Sequence, residues 1–172
     1  LIKYAPQVAE KDPSFSLSEL KADIAEVSAL RDLCYFYLIR TFRDVPYTTV
    51  AFTDDNQVMD LPATSFDNVL DSLITNLESV KDEAVKAYPS GTSTQELYQT
   101  SRITQEAIHA MLCEMYLWKQ DYQKCIQYAD LVINAKKLQA EEKQKTSTTV
   151  SDYSKFGGYP LISESSYGSL TT

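Results

Sequence analysis

The sequence predicts an all-α protein, a helical bundle with an irregular C-terminal segment, and three observations carry the prediction. Apolar residues recur at steps of three and four through four stretches between Ser18 and Ile133, the period at which one face of a helix meets a core. Between these stretches stand helix-stopping and helix-starting residues, among them Pro46, Pro89 and Asp121. From Lys136 onward the chain turns charged, then rich in serine and threonine, with Gly157-Gly158 and no period. With 172 residues and 44% hydrophobic content, a core-bearing domain fits. The expected division is a helical domain over residues 1–138 and a loop-rich segment over 139–172.

The first long helix is expected over Ser18–Phe42. Leu20, Ile24, Val27, Cys34 and Leu38 recur at helical steps, while Leu30, Leu33, Tyr37 and a Tyr35/Ile39 row fill the neighbouring faces. A helix apolar on nearly all sides is buried among others. Asp44-Val45-Pro46 ends it, because proline lacks an amide hydrogen and holds the residue before it extended. Val45–Pro62 reads as a polar connector with a short extended piece at its start. Thr64 and Asp67 then have capping-box spacing, and Phe66, Leu70, Leu73, Leu77, Val80 and Ala84 form the stripe of a second helix ending near Tyr88-Pro89. A turn-rich "SGTSTQ" follows. The third helix starts near Thr104, with Ile108, Met111, Leu112, Met115 and Tyr116 inward. Asp121 caps a fourth, with Tyr122, Cys125, Ile126, Ala129, Val132 and Ile133 apolar. So short a linker makes the last two an antiparallel hairpin.

Net charge is −8, and no basic face is visible, so nucleic acid is not an expected partner. The longest apolar run, Leu33–Ile39, is far short of the ~20 residues of a spanning helix. The opening "LIKYAPQVAEKDPSF" has no charged n-region, h-region or cleavage site, which leaves a cytosolic protein or a piece of a longer precursor. Cys34, Cys113 and Cys125 are odd in number and widely spaced, which argues against a disulfide framework and a zinc ribbon. In apolar helical stretches they read as buried free thiols.

The hairpin "AMLCEMYLWKQDYQKCIQYADLVI" resembles a tetratricopeptide repeat. Leu112 and Tyr116 stand where its first helix takes a leucine and then a tyrosine; Tyr122 and Cys125 stand where its second takes an aromatic and then a small residue. Gln120 replaces the usual turn glycine. No second copy at the ~34-residue period is visible, and a lone repeat cannot bury its own outer face.

Three blocks together resemble the SusD/RagB family. "AEVSALRDLCYFYLIRTFRDVPY" matches at Glu26, Ala29, Leu30, Arg31, Tyr35, Tyr37, Leu38, Phe42, Asp44, Val45 and Pro46. "SRITQEAIHAMLCEMYL" matches at Arg102, Thr104, Ala107, Ala110, Leu112, Tyr116 and Leu117, and "DYQKCIQYADLVI" at Asp121, Tyr122, Lys124, Ala129 and Ile133. The blocks come in family order and cover roughly residues 20–135. Arg43 departs from the family's glycine, and Asp32, Cys113 and Cys125 replace small residues, usually alanine. The family's lipid-anchored cysteine and C-terminal half have no counterpart here, which implies a piece of such a protein or a truncated relative. The resemblance implies an outer-surface lipoprotein of a Bacteroidota outer membrane. It would bind a glycan or another nutrient and deliver it to a TonB-dependent, SusC-like β-barrel packed against its helical repeats, without catalysis and without a cofactor. The rival class is an intracellular tetratricopeptide-like adaptor for peptides or protein partners.

Candidate chemistry is sparse. Glu106, His109 and Cys113 share a helix face, but a metal site needs a further ligand, and helix packing is the expected role. His109 is the only histidine and no serine or cysteine nucleophile motif surrounds it. Asp54, Asn56 and Asp60 lack the glycine and closing glutamate of a calcium loop and read as solvated. Of the twelve tyrosines, Tyr35, Tyr37, Tyr116, Tyr122 and Tyr128 fall at core spacing, as does Trp118 beside Met111 and Met115. Tyr153, Phe156 and Tyr159, around Gly157-Gly158, are the aromatic cluster in an expected loop and the candidate ligand-binding residues.

Overall fold

A computed structural model describes residues 1–54, 56–57, 60–88, 98 and 101–146, with 139–146 as backbone alone. A short helix α1 (Ala5–Ala9) precedes α2 (Leu17–Phe42). A capping box starts α2: the Glu19 amide donates to Ser16 Oγ (3.2 Å), and the Ser16 amide donates to Glu19 Oε2 (2.8 Å). The helix buries one seam, Leu20, Ala25, Ala29, Asp32, Phe36 and Ile39, while Leu30, Cys34, Tyr37, Leu38 and Phe42 are exposed. The all-round burial expected of this helix, and the burial of Cys34, are therefore corrected. The helix packs chiefly against α3 (Phe66–Val80), and an apolar surplus in the sequence does not say which side finds a partner.

The Asp-Val-Pro stop organises the next junction. Arg43 ends α2 at φ 64°, the region where glycine is favoured, and its guanidinium lies 5.3 Å from the Phe66 ring. Asp44 Oδ1 accepts the Phe66 amide at 3.0 Å, so a residue from the end of α2 caps the start of α3. Strand β1 (Val45–Pro46) pairs antiparallel with β2 (Ala63–Thr64), Val45 opposite Thr64. The expected Thr64–Asp67 capping box does not form: Thr64 lies in β2, and the N-cap is Ser65, whose side chain makes no capping bond.

Helix α3 carries the expected stripe, with Phe66, Val69, Leu70, Leu73, Ile74 and Leu77 buried. It stops at Val80 rather than near Tyr88. The Lys81 carbonyl is taken by Gln105 Nε2 at 3.1 Å and the Val85 carbonyl by the Gln105 amide at 2.9 Å, so the first residue of the next helix satisfies two carbonyls of the segment that follows α3. Ala84 is still buried, in the turn beyond.

Helix α4 (Gln105–Trp118) starts at Thr104, whose Oγ1 accepts the Ala107 amide, and turns its Ile108, Leu112, Met115 and Tyr116 inward. Gln120, at φ 64°, links it to α5 (Tyr122–Thr146). The Asp121 amide reaches the Tyr116 carbonyl and the Gln120 amide the Leu117 carbonyl, both at 3.0 Å, a Schellman closure of α4. Asp121 Oδ1 accepts the Lys124 amide (3.2 Å) and so caps α5. The loop expected from Lys136 is corrected: α5 runs on to Thr146. Its "KKLQAEEKQK" lacks an apolar stripe but consists largely of strong helix formers. Among the described side chains of α5, Tyr128 is buried, while Tyr122, Ile126 and Ile133 are exposed. The core lies among α2, α3 and α4, where Phe36, Leu73, Leu77, Ile108, Leu112 and Met115 are almost wholly buried, each contributing about 1.5–3 kcal/mol on leaving water.

Candidate functional site

A cleft of about 300 Å³ opens at the N-terminal end of α2, lined by Glu19, Asp23 and Glu26 of α2, by Val85 and Tyr88, and by Arg102 and Ile103 ahead of α4. Glu26 organises it. Its carboxylate accepts Arg102 Nε (3.1 Å), Arg102 Nη2 and the Ile103 amide (3.3 Å). Asp23 stands 3.5 Å from the same guanidinium, which lies 5.2 Å from the Tyr88 ring and 6.0 Å from that of Tyr98. The hydrogen bond to Glu26 raises the Arg102 pKa further. Carboxylates, a guanidinium and tyrosine rings are groups that bind polyols, yet Nε and Nη2 of Arg102 are already engaged by Glu26. The cleft first of all locks α2 to α4.

A second polar seam joins α3, α4 and α5. Tyr116 Oη donates to Glu78 Oε1 at 2.7 Å and accepts from Lys124 Nζ at 2.9 Å. The Tyr116 and Tyr128 rings stack at 5.8 Å and 8°. Burial works against the Glu78 carboxylate, but the Tyr116 and Tyr128 hydroxyls and Lys81 outweigh it and hold its pKa down. Burial, and then Glu78, push the Tyr128 hydroxyl up. The repeat tyrosine is therefore more than a wedge: it anchors the hairpin to α3.

Between α2 and α3 the wholly buried Asp32 accepts Asn76 Nδ2 and, at 3.2 Å, Arg31 Nε. Burial raises its pKa against both partners. Asn76 faces the buried carboxylate with a donor, which offsets part of the cost of burying it.

The sequence candidates fall as follows. Tyr153, Phe156 and Tyr159 lie outside the described residues. His109 packs on the Tyr128 ring at 5.6 Å, and burial lowers its pKa; Glu106 is held by Lys136 at 2.6 Å. Among the described residues no group of three metal-ligating side chains converges. Asp54 Oδ1 takes the amide and side chain of Asn56, both at 3.0 Å, in its own turn. Tyr37, Tyr122 and Trp118, expected inside, are exposed. Trp118 keeps one side against Phe66 (5.9 Å) and Arg40 (5.5 Å), while the end of α4 leaves the other uncovered. The sequence reading missed both Glu26–Arg102 and Asp44–Phe66, although the family blocks contain Glu26, Arg102 and Asp44.

Among the described residues, fold and contacts define a helical scaffold closed by a tetratricopeptide-like hairpin. No family model matches the chain. It is 25% identical over 122 residues to SusD-like protein P2 of Formosa agariphila, covering 68% of this chain and 21% of that protein. A SusD superfamily protein from Bacteroides thetaiotaomicron matches in structure with a TM-score of 0.64 and 28% identity, over 75% of this chain and 29% of that one. The surface glycan-binding protein A of Bacteroides uniformis follows with a TM-score of 0.61 and 23% identity, over 77% and 28%. The resemblance to SusD/RagB proteins read from the three sequence blocks, and the all-α class, are borne out over most of the chain. The chain spans about a fifth of the curated relative and under a third of either solved structure.

Proposed function

We propose that this chain provides the helical scaffold of an outer-surface nutrient-binding lipoprotein, which captures an oligosaccharide or other nutrient and delivers it to a TonB-dependent, SusC-like barrel without catalysis. The observation that carries the reading is the likeness in sequence and fold to SusD-like proteins, with a surface glycan-binding protein among the structural neighbours. The described polar groups tie helices to one another, as a scaffold requires. In this reading Tyr153, Phe156 and Tyr159 offer ring faces to a sugar.

The test uses the immobilised chain and detergent-solubilised outer membranes of its source, with retained proteins identified by mass spectrometry. A large TonB-dependent barrel is the expected capture. Retention of soluble peptide-bearing partners alone would replace the reading by that of an intracellular adaptor. Glycan affinity electrophoresis should show retardation that the triple alanine variant at Tyr153, Phe156 and Tyr159 loses. Unchanged retardation would remove those three residues from the site.

A further inference from the structure

We propose that Cys113 and Cys125 are a disulfide-forming pair that cross-links α4 to α5 under oxidising conditions. Their sulfurs lie 3.6 Å apart across the antiparallel hairpin, so about 1.5 Å of approach separates them from the ~2.05 Å of a disulfide bond. The closeness has a physical origin. A tetratricopeptide-like hairpin takes small residues where its helices approach, and cysteines fill two such places facing each other. The Schellman turn at Gln120 and the stacked Tyr116 and Tyr128 rings hold the register. Cys34, the remaining thiol, is exposed on α2.

The step is thiol–disulfide exchange with a small-molecule disulfide such as oxidised glutathione. One cysteine thiolate attacks a glutathione sulfur, forms a mixed disulfide and expels one glutathione thiolate. The second cysteine then attacks the protein sulfur of that mixed disulfide and expels the other. Two protein thiols lose two electrons and two protons, and one oxidised glutathione becomes two reduced ones. Burial, reinforced by the Cys125 contact, pushes the Cys113 thiol up to about 11. Cys113 thiolate is therefore scarce at neutral pH, and closure should accelerate as pH rises.

The test treats the Cys34→Ser protein with oxidised glutathione at mildly alkaline pH, which removes the exposed thiol as a route to dimers. The expected result is complete loss of titratable thiol, an intact mass lower by two hydrogens, and a non-reducing peptide map joining the peptides of Cys113 and Cys125. The melting midpoint should rise by roughly 5–10 °C and return on reduction. Persistent glutathione adducts, intermolecular dimers or unreacted thiols would overturn the proposal. The same peptide map on the wild-type chain decides the question if Cys34→Ser does not fold.

Discussion

Replacing Glu26 by alanine should release α2 from the segment that leads into α4. The substitution removes the acceptor of Arg102 Nε, Arg102 Nη2 and the Ile103 amide together. Hydrogen bonds to charged groups contribute roughly 1.5–3 kcal/mol when sheltered, but the Arg102 side chain is 38% exposed against 19% for Glu26. Water recovers much of the guanidinium, which moves the ion pair toward the ~1 kcal/mol of surface pairs. The half-buried Ile103 amide adds about 1 kcal/mol for a donor left without its partner. The total is about 2 kcal/mol. With a urea dependence of roughly 2 kcal/mol per molar, the unfolding midpoint should fall by about 1 M. A cycle with Arg102→Ala should return a coupling of about 1 kcal/mol, the remainder being the Ile103 bond. Equilibrium urea unfolding followed by circular dichroism measures all four proteins. A midpoint within about 0.2 M of wild type for Glu26→Ala, or no coupling, would refute the reasoning.

Gln120→Gly should stabilise the protein, an unusual sign for a substitution. At φ 64° a residue with a Cβ carries a cost of roughly 1–2 kcal/mol, and the extra freedom of unfolded glycine returns roughly 0.5–1 kcal/mol of it; thermal melts should show a net gain of about 0.5 kcal/mol, and a loss would mean that the Gln120 side chain holds the turn. Asp32→Asn should change how stability depends on pH. The folded pKa of Asp32 is raised above its ordinary 3.8 by burial, so the fold binds that proton more tightly than the unfolded chain does. Its contribution is full below the unfolded pKa and is lost as pH rises through the folded one. Urea unfolding from acid to neutral pH should therefore show Asp32→Asn gaining on wild type as pH rises, and a gap that stays constant or runs the other way would contradict the burial argument.

What the sequence disclosed was local, and what it hid was between elements. The α3 stripe, the Asp121 cap and the hairpin all depend on residues within one or two turns of each other, and those were legible. Asp44 and Phe66 are 22 positions apart; nothing in periodicity says that one caps the other, whereas Thr64 and Asp67 present a capping-box spacing that the β1–β2 pairing overrides. The exposed face of α2 misleads in another way. Tyr37 and Leu38 have core-like spacing, but only the partner helix decides which apolar row is covered. The Cys113–Cys125 contact was within reach, since the expected hairpin brings residues on either side of Gln120 together.

Six of the positions that carry the SusD/RagB resemblance have structural work to do. Glu26 binds Arg102, Asp44 caps α3, and Tyr35 Oη both donates to the Thr48 carbonyl (3.1 Å) and accepts the Thr48 amide (3.2 Å). Thr104 and Asp121 cap α4 and α5, and Tyr116 ties the hairpin to Glu78. Each joins two elements or closes a helix end, so changing it loosens the bundle whatever the ligand is. On the proposed nutrient-binding reading, ligand contacts are to be sought at positions free of such duties. A screen that tests this reading should therefore leave these residues intact and vary the side chains whose contacts do not hold the helices together.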